Sequence, residues 1–390
     1  MNDTSVPPAT VTRSLARFEF IDLLRGWAVF VMIETHVFNA LLTKELKDGG
    51  VFKILTFVNG LVAPAFLFCA GLALAVVLRR KWDDYIFLRK PFWRYLFRLL
   101  FILVVGYSLH LPFFSLSRLK EITDPNAWVP FFQADILQTI AISLFLLTLL
   151  VPIVRNRAIL FWATAVLSLL VIFSSPVVRN FDYAAMAPWL SPYFTMQVKS
   201  QFPLFPWMAF LSAGTVIGLW FLGMKAAGRE RSFVNQSLAL SLAAIVISLI
   251  IEALPWTLYP NHNFWDASPE FFFVRCGLIV CALDFLWMYE NKKTVSQNSV
   301  ITLFGKESLL VYCVHLLIVY GYTYKWSFVR YFGPQLNYAE CFGLFVTLTV
   351  SMWLMAFCWY RLKRWNIRIA KVVEFVTLGS IVAMFVLRTE

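Results

Sequence analysis

The sequence predicts an all-α, polytopic transmembrane helical bundle of about 11 membrane-spanning helices, and two observations support that fold class. The 390 residues are 60% hydrophobic and only 14% charged, whereas soluble domains are near 45–50% apolar and about 25% charged. Apolar runs long enough to cross a bilayer also recur along the chain, separated by polar or proline-rich breaks. The alternating segments of about ten residues that are typical of membrane β-barrels are absent from the sequence.

The predicted spans follow these apolar runs in order. Ten or twelve spans are also compatible with the pattern, because the fifth is short and the eleventh begins with Lys371 and Glu374. In the sixth span, residues 212–218 form a small-residue face that predicts close contact with another helix. The eleven predicted spans are 20–42, 54–78, 92–114, 132–153, 157–174, 203–223, 235–254, 270–289, 299–323, 340–361 and 371–388.

The chain is predicted to hold one folded domain behind a short tail. Residues 1–17 are polar and contain proline, so we expect a disordered cytoplasmic tail. Residues 18–390 show no short internal repeat, and we expect a single transmembrane domain. The first apolar run is too long and too charged for a cleaved signal peptide. The six cysteines are scattered without metal-ligand or disulfide spacing, so no metal is expected.

Lysine and arginine are distributed unevenly between the two sides of the predicted bundle. Alternate loops on the side of the N-terminus hold 21 of the 34 residues of these two types, and the opposite loops hold 10. Because positive charge concentrates in cytoplasmic loops, the N-terminus is predicted to be cytoplasmic. The same bias accounts for the net charge of +12, so the expected partner is the lipid bilayer and not nucleic acid.

The first span carries four ionisable side chains: Asp22, Arg25, Glu34 and His36. Such groups are costly at membrane depth unless they are paired or face a wet cavity, so this helix is predicted to do more than anchor the chain. Arg25 and His36 are eleven residues apart, which places them on nearly one helix face, about 16 Å apart along the axis. Asp22 is spaced to pair with Arg25, and Asn39 to neighbour His36, whereas Glu34 points about 200° away from His36.

Three further cations lie near the predicted cytoplasmic ends of their spans: Arg94 and Arg98 on the third, and Lys306 on the ninth. Arg94 and Arg98 are i,i+4 neighbours on one helix face. If these cations converge with Arg25, they suit a multiply phosphorylated cytosolic ligand. Side chains that only extend to the membrane surface would explain Arg94 and Arg98 equally well, and the sequence leaves that alternative open.

Two histidines lie at matching depths in their predicted spans. His36 and His315 are each sixteen residues into a span. Ser308 and Tyr312 share a helix face with His315 and form a polar stripe with it. A histidine at this depth is a candidate general base, and a hydrogen bond between helices is the alternative.

Several other polar residues are weaker candidates. His110 ends the third span and His262 lies in an external loop, where an interfacial or solvated histidine is the simpler interpretation. Asp135 opens the fourth span from the external side. Glu270 and Arg275 enter the eighth span near the outside, and we expect them to form a structural pair.

The residues around Arg25 and His36 form an Arg-x(10)-His pattern within LLRGWAVFVMIETH. This pattern resembles the signature of the integral-membrane acyltransferase superfamily, which includes bacterial O-acyltransferases of surface polysaccharides and heparan-α-glucosaminide N-acetyltransferase-like proteins. Further segments resemble the second branch in family order along most of the chain: RFEFIDLLRG (17–26), PAFLFCAGLAL (64–74), DILQTIAISL (135–144), FPLFPWMAFLSAG (202–214) and FGKESLLVYCVHLL (304–317).

The resemblance implies ten or eleven helices and an acyl-CoA donor, acetyl-CoA, that enters from the cytoplasm. It implies that the acyl group passes to an extracytoplasmic glycan or glycolipid, here in a bacterial inner membrane. The catalytic candidates are then His36 and His315, the donor-binding candidates Arg25, Arg94, Arg98 and Lys306, and the supporting residues Asp22, Asn39, Ser308 and Tyr312.

One segment departs from the heparan branch. In that branch the catalytic histidine lies in the loop after the first helix, and the corresponding loop here, LTKELKDGG, has none. The branch has asparagine at the position of His36, so this chain resembles the polysaccharide O-acyltransferases more closely at that position. The choice between an amine and a hydroxyl acceptor is therefore open.

Transmembrane acyl transfer is the function that the sequence predicts. A secondary transporter or flippase could use the same intramembrane charges to relay protons or hold counter-ions, and a scaffold protein is the third class. Neither clear internal repeats nor paired Gly/Pro breaks typical of transporters are evident. The sequence does not fix the acceptor, the acyl chain or the oligomeric state, and a homodimer is compatible with it.

Overall fold

The structure, a computed structural model, describes residues 18–183, 185–197, 200–255, 259, 264–321 and 326–388. The predicted tail 1–17 and His262 lie outside the described residues. Within these ranges almost all regular structure is helical, and the only strand-like pairing is an isolated bridge between Leu42 and Leu336. The predicted all-α helical membrane bundle is confirmed.

Eighteen α-helices and two short 3₁₀ turns, Pro125–Trp128 and Ser191–Tyr193, are present in the described part of the chain. The helices are α1 (Glu19–Leu41), α2 (Lys44–Lys47), α3 (Gly50–Asn59), α4 (Val62–Ile86), α5 (Lys90–Ser108), α6 (Leu116–Lys120), α7 (Val129–Phe132), α8 (Ile136–Val154), α9 (Arg157–Asn180), α10 (Leu204–Ala226), α11 (Glu230–Glu252), α12 (Phe264–Ala267), α13 (Pro269–Lys292), α14 (Val300–Lys306), α15 (Ser308–Tyr320), α16 (Phe328–Phe332), α17 (Tyr338–Trp365) and α18 (Ile367–Leu387).

Each predicted span corresponds to a long helix or to a pair of consecutive helices. Among the described residues, eight helices are long and apolar enough to cross a membrane, counting α3 and α4 as one, and a ninth is added if α14 and α15 form one broken span. The helices α1 and α5 have 23 and 19 residues but fall outside that set. The ionisable side chains of α1, which single out this helix in the sequence, lower its hydropathy.

The predicted continuous span over residues 299–323 is wrong, because the chain bends by 97° between α14 and α15. Glu307 forms the joint, with φ −111° and ψ 27°, outside the helical region. Its buried carboxylate accepts hydrogen bonds from Nζ of Lys363 on α17 at 2.6 and 2.7 Å. This ion pair stabilises the bend. No local pattern in the sequence predicts it, because Glu307 and Lys363 are 56 residues apart.

Some predicted boundaries also move. The fourth span begins at Ile136 and not at 132, because Oδ1 of Asp135 accepts a hydrogen bond from the backbone N–H of Ile136 at 2.7 Å. The fifth extends to Asn180 and not to 174, since Pro176 is accommodated inside α9. The third ends at Ser108, before the proline that follows His110.

The close contact predicted for the small-residue face of α10 is present where this helix crosses α4. A Cβ atom at Gly214 would lie 2.1 Å from the carbonyl oxygen of Phe68, and one at Gly71 would lie 2.0 Å from that of Leu211. The two backbones therefore approach too closely for any side chain at either position. Such small-residue crossings are a common way to pack helices in lipid, where the hydrophobic effect does not drive their association.

Helix α1 lies inside the bundle and packs against α4, α13, α14, α15 and α17. Its apolar side chains are largely buried, with Val29, Ile33 and Val37 fully enclosed. The ionisable residues of α1 consequently face protein and an internal cavity, which is the environment that makes them tolerable at membrane depth.

Candidate active site

A cavity of about 890 Å³ runs along α1. Arg25 and His36 both line it, about 16 Å apart along the axis of α1. The walls come from α3, α4, α5, α8, α13 and α15. We refer below to the Arg25 end and the His36 end of this cavity.

At the Arg25 end, the guanidinium group of Arg25 is held by its neighbours. Nη1 donates a hydrogen bond to the carbonyl oxygen of Gly305 at 3.2 Å, and Nη2 lies 3.8 Å from Oδ1 of Asp22. The predicted Asp22–Arg25 pair is therefore present. Arg98 of α5 lines the same cavity, and the buried thiol of Cys69 lies against Arg25. Two arginines from different helices thus face one cavity.

The structure does not bring every predicted cation to this cavity. Arg94 is exposed, one turn before Arg98, and does not line it. Lys306 ends α14 on the far side of the bend, where Nζ donates to the side chain of Gln297 and lies 4.7 Å from the ring centroid of Tyr360. Lys306 does not reach the cavity because the break at Glu307 separates it from α15, whose residues Ser308 and Tyr312 line the cavity.

At the His36 end, the imidazole makes one hydrogen bond to a described residue. Nδ1 of His36 lies 3.1 Å from the hydroxyl oxygen of Tyr320. When Nδ1 carries the proton and donates it to Tyr320, Nε2 keeps its lone pair and is available to a ligand in the cavity. Asn39, one turn further along α1, also lines the cavity, as predicted for a neighbour of His36.

The polar stripe of α15 divides into two parts. Ser308 and Tyr312 line the cavity. His315 is fully buried and does not line it, but its ring centroid lies 5.2 Å from that of His36. Nδ1 of His315 donates to the carbonyl oxygen of Val311 at 2.8 Å, and Nε2 has no hydrogen-bond partner among the described residues. His315 therefore contacts the ring of His36, the candidate general base, but does not reach the cavity.

A hydrogen-bond network that the sequence analysis did not assemble lies at the same end. Oδ2 of Asp135 accepts from Nε2 of His110 at 3.0 Å and from the hydroxyl of Tyr312 at 3.2 Å. Nδ1 of His110 accepts from the amide of Gln133 at 2.6 Å. Both ring nitrogens of His110 are thus engaged, so this histidine ties α5 to α8 and does not offer a base. The available signal was that His110 and Asp135 flank the same predicted loop.

Several polar groups at the His36 end lack a hydrogen-bond partner among the described residues. They are the side-chain amide of Asn59 and Nε1 of Trp207, and both residues line the cavity. Buried polar groups are normally satisfied by protein or water, so unpaired groups around a cavity indicate a place for a polar ligand. The sequence analysis did not single out Asn59 or Trp207.

The predicted pairing of Arg275 with Glu270 is wrong. The two residues are five positions apart on α13, which sets them about 140° apart around the helix. Glu270 is buried with Oε2 unpaired among the described residues, while the guanidinium of Arg275 lies 3.4 Å from the ring centroid of Phe271. Arg275 is therefore part of the cavity wall.

Glu34 points away from His36, as its spacing predicts. Asn59 of α3 is the polar neighbour of its carboxyl group, and Oε1 of Glu34 has no hydrogen-bond partner in the described structure. Glu34 does not line the cavity.

A helical membrane bundle in which two arginines and a histidine line one cavity is compatible with a membrane-embedded acyltransferase. Comparison with known families agrees with this class. The sequence model of the family described as "Heparan-alpha-glucosaminide N-acetyltransferase, catalytic" matches residues 17–251, more than half of the chain, and the chain belongs to that family. No curated protein matches the chain.

The matched range contains Arg25, His36, Arg98 and Asp135. The walls contributed by α13 and α15, which include Arg275 and Tyr312, lie beyond it, as does the buried His315. The protein is an integral, multi-pass membrane acyltransferase of this family.

Proposed function

We propose that the protein transfers an acetyl group from cytosolic acetyl-CoA to a hydroxyl or amine of an extracytoplasmic sugar or envelope glycan, across a bacterial inner membrane. The observation that carries the proposal is that Arg25 and His36, eleven residues apart on one face of one helix, line the same cavity. The family supports acetyl transfer, and the excess of positive charge in one set of loops supports a cytoplasmic Arg25 end.

The donor would be anchored at the Arg25 end. CoA carries phosphates that cannot enter lipid, and guanidinium groups bind phosphate through paired, charge-assisted hydrogen bonds. We assign this contact to Arg25 and Arg98, because these two cations line the cavity. The slender pantetheine arm would then carry the thioester along the cavity towards His36. The cytoplasmic surface charges Arg94 and Lys306 lie outside the cavity and are not needed for this contact.

The chemical step needs one base. Nε2 of His36 would take the proton from the acceptor hydroxyl or amine as its oxygen or nitrogen attacks the thioester carbonyl. A bond forms between the acceptor and the acyl carbon, the carbon–sulfur bond breaks, and the CoA thiolate leaves and takes up a proton. The hydroxyl oxygen of Tyr320 would accept a hydrogen bond from Nδ1 of His36 and so favour the tautomer in which Nε2 is unprotonated. His315 would position the ring of His36 without contacting the substrate.

Acyl transfer by matched variants tests the proposal. Full-length protein in nanodiscs would be incubated with radiolabelled acetyl-CoA and an envelope glycan extract, and acylated product would be counted. We expect His36→Ala to abolish transfer and Glu34→Gln, on the same helix but outside the cavity, to retain it. Substantial transfer by folded, inserted His36→Ala would overturn the assignment of His36. Mass spectrometry of envelope glycans from a deletion strain, searched for one lost acyl group, would identify the acceptor.

A transporter or flippase is the second candidate, and the bend of 97° between α14 and α15 is the observation that favours it. Secondary transporters commonly build their substrate sites from broken helices. Binding of acetyl-CoA to the purified protein separates the two functions. Binding that weakens in both Arg25→Ala and Arg98→Ala supports acyl transfer, and no binding at millimolar acetyl-CoA supports transport.

A further inference from the structure

Trp265 of α12 is both exposed and part of the cavity wall. It is 55% exposed, and Thr56 of α3, which is also exposed, lines the same cavity. Phe57, next to Thr56, makes a T-shaped contact with the ring of Trp265, with centroids 6.2 Å apart. The cavity therefore reaches the surface between α3 and α12. The loop that carries α12 belongs to the side with fewer lysines and arginines, which is predicted to be external.

The indole ring of Trp265 is held in place by aromatic side chains from three helices. Besides Phe57 of α3, it contacts Phe264 of α12 with ring centroids 5.2 Å apart and Phe271 of α13 at 5.6 Å. All three rings are inclined to the indole plane by at least 76°. Trp265 consequently offers a rigid aromatic surface, more than half of which is accessible.

The next residue, Asp266, also lines the cavity and ties α12 to α9. Its Oδ2 accepts from Nη2 of Arg179 at 2.6 Å, and Nη1 of the same guanidinium donates to the carbonyl oxygen of Phe205 at 3.3 Å. Arg275, in the same wall, interacts electrostatically with Asp266. A carboxylate has about four acceptor positions, so Asp266 can accept a hydrogen bond from a ligand hydroxyl while it remains bound to Arg179.

An aromatic surface bordered by polar groups is suited to a sugar ring. The C–H groups of a pyranose form an apolar face that is attracted to the negative face of an aromatic ring, while the hydroxyls project around its edge. The side chains of Asn59, Gln201 and Asp266 line the cavity and can bind such hydroxyls. The amide of Asn59 has no hydrogen-bond partner among the described residues. A hydrocarbon chain in the same place would leave these polar groups unsatisfied.

We propose that Trp265 binds a sugar ring of the acceptor by stacking, where the cavity opens between α3 and α12. The inference rests on the proposed function in assigning a glycan acceptor to this side of the protein. Trp265 lies beyond residues 17–251, so the match to the family model does not supply this subsite. The subsite favours rings that group their C–H bonds on one face over open-chain polyols, which present no such face.

Sugar binding by matched variants tests this proposal without requiring catalysis. Full-length protein in nanodiscs would be titrated calorimetrically with cellobiose, lactose, N,N′-diacetylchitobiose and the open-chain polyol sorbitol. We expect at least one disaccharide, but not sorbitol, to bind at millimolar concentration, and Trp265→Ala to weaken the best disaccharide about tenfold. Trp189→Ala is the control, because Trp189 is 58% exposed but outside the cavity. No disaccharide binding by the wild type, or equal affinities of the wild type and Trp265→Ala, would overturn the proposal.

Two further variants separate stacking from simple apolar contact. Trp265→Leu keeps a large apolar side chain without an aromatic face and should weaken binding as much as Trp265→Ala. Trp265→Tyr keeps the face and should retain the affinity within about threefold. If Trp265→Ala does not fold, this pair decides, and equal binding by the leucine and tyrosine variants contradicts stacking.

Acetyl-CoA binding, measured on the same samples, keeps the two proposals apart. We expect Trp265→Leu to bind acetyl-CoA like the wild type, because Trp265 is not among the cations that contact the donor. A wild-type protein that binds no acetyl-CoA, yet binds a disaccharide in a Trp265-dependent way, would contradict the proposed function and leave the sugar subsite standing.

Discussion

The imidazole rings of His36 and His315 lie with their centroids 5.2 Å apart and their planes inclined by 49°. His36 lines the cavity, whereas His315 is fully buried behind it and anchored through Nδ1 to the carbonyl oxygen of Val311. The two histidines lie at matching depths in their predicted spans, but only His36 is accessible from the cavity. His36 can therefore meet a ligand in the cavity, whereas His315 contacts only the ring of His36 from behind.

Replacing His315 tests that difference. We expect His315→Phe, which keeps a ring beside His36 but removes both nitrogens, to lower kcat about tenfold with little change in KM for acetyl-CoA, because a base that is slightly misplaced loses rate and not donor affinity. Steady-state kinetics on reconstituted protein measures both constants. An unchanged kcat would show that the contact is inert, and a loss as complete as that of His36→Ala would place His315 in the chemical step.

Arg25, Arg94 and Arg98 provide a graded test of donor binding. Hydrogen bonds to charged groups contribute roughly 1.5–3 kcal/mol each, so Arg25→Gln and Arg98→Gln should raise the Kd for acetyl-CoA by about tenfold or more. Both Arg94 and Arg98 are exposed, but Arg94 lies outside the cavity, so Arg94→Gln should change the Kd by about twofold or less. Equilibrium binding of labelled acetyl-CoA measures all three. Equal effects of Arg94→Gln and Arg98→Gln would contradict the cavity as the donor site.

Asp135 should be important for stability. Asp135→Ala removes the cap of α8 and leaves His110 and Tyr312 without a carboxylate acceptor. Loss of a cap costs about 0.5–2 kcal/mol and each unsatisfied buried group about 1–3 kcal/mol, so the apparent Tm should fall by several degrees. Asp124→Ala is the matched control, because Asp124 caps an exposed turn at the backbone N–H of Asn126. Thermal unfolding in nanodiscs compares the two, and equal Tm values would contradict the role of the network.

The crossing of α4 and α10 should not tolerate a side chain at its centre. Gly214→Ala would place a Cβ atom 2.1 Å from the carbonyl oxygen of Phe68, so the helices must separate and the yield of monodisperse protein should fall sharply. Gly223→Ala, on the same helix, meets no atom within 4 Å and should be neutral or slightly stabilising. Size-exclusion profiles and apparent Tm values provide the comparison. A well-folded Gly214→Ala protein would show that the crossing can relax.

Features with a local cause were predictable from the sequence. The helical class and the approximate positions of the spans follow from runs of apolar residues, and the shared face of Arg25 and His36 follows from helical periodicity. The Asp22–Arg25 pair and the opposite orientation of Glu34 follow from the same geometry along one helix. None of these depends on knowing which helices are neighbours.

Features that depend on neighbouring helices were not predictable in the same way. Periodicity places Arg94 and Arg98 on one face, yet Arg98 alone reaches the cavity. Lys306 was grouped with the donor-binding cations, but the break at Glu307, where the carboxylate binds Lys363 of α17, leaves Lys306 outside the cavity. Arg275 was expected to pair along its own helix and instead faces the backbone of Gly60 on another segment.

The sequence by itself determined that this is a helical membrane protein with a cation and an imidazole on one face of its first helix. The tertiary structure alone decided that both groups line one cavity, that His315 lies against His36, and that Arg275 lines the same cavity. The physical reason is that the helical period of 3.6 residues per turn determines which side chains share a helix face. Which faces contact each other is determined by packing between helices, as at the close crossing of Gly71 and Gly214.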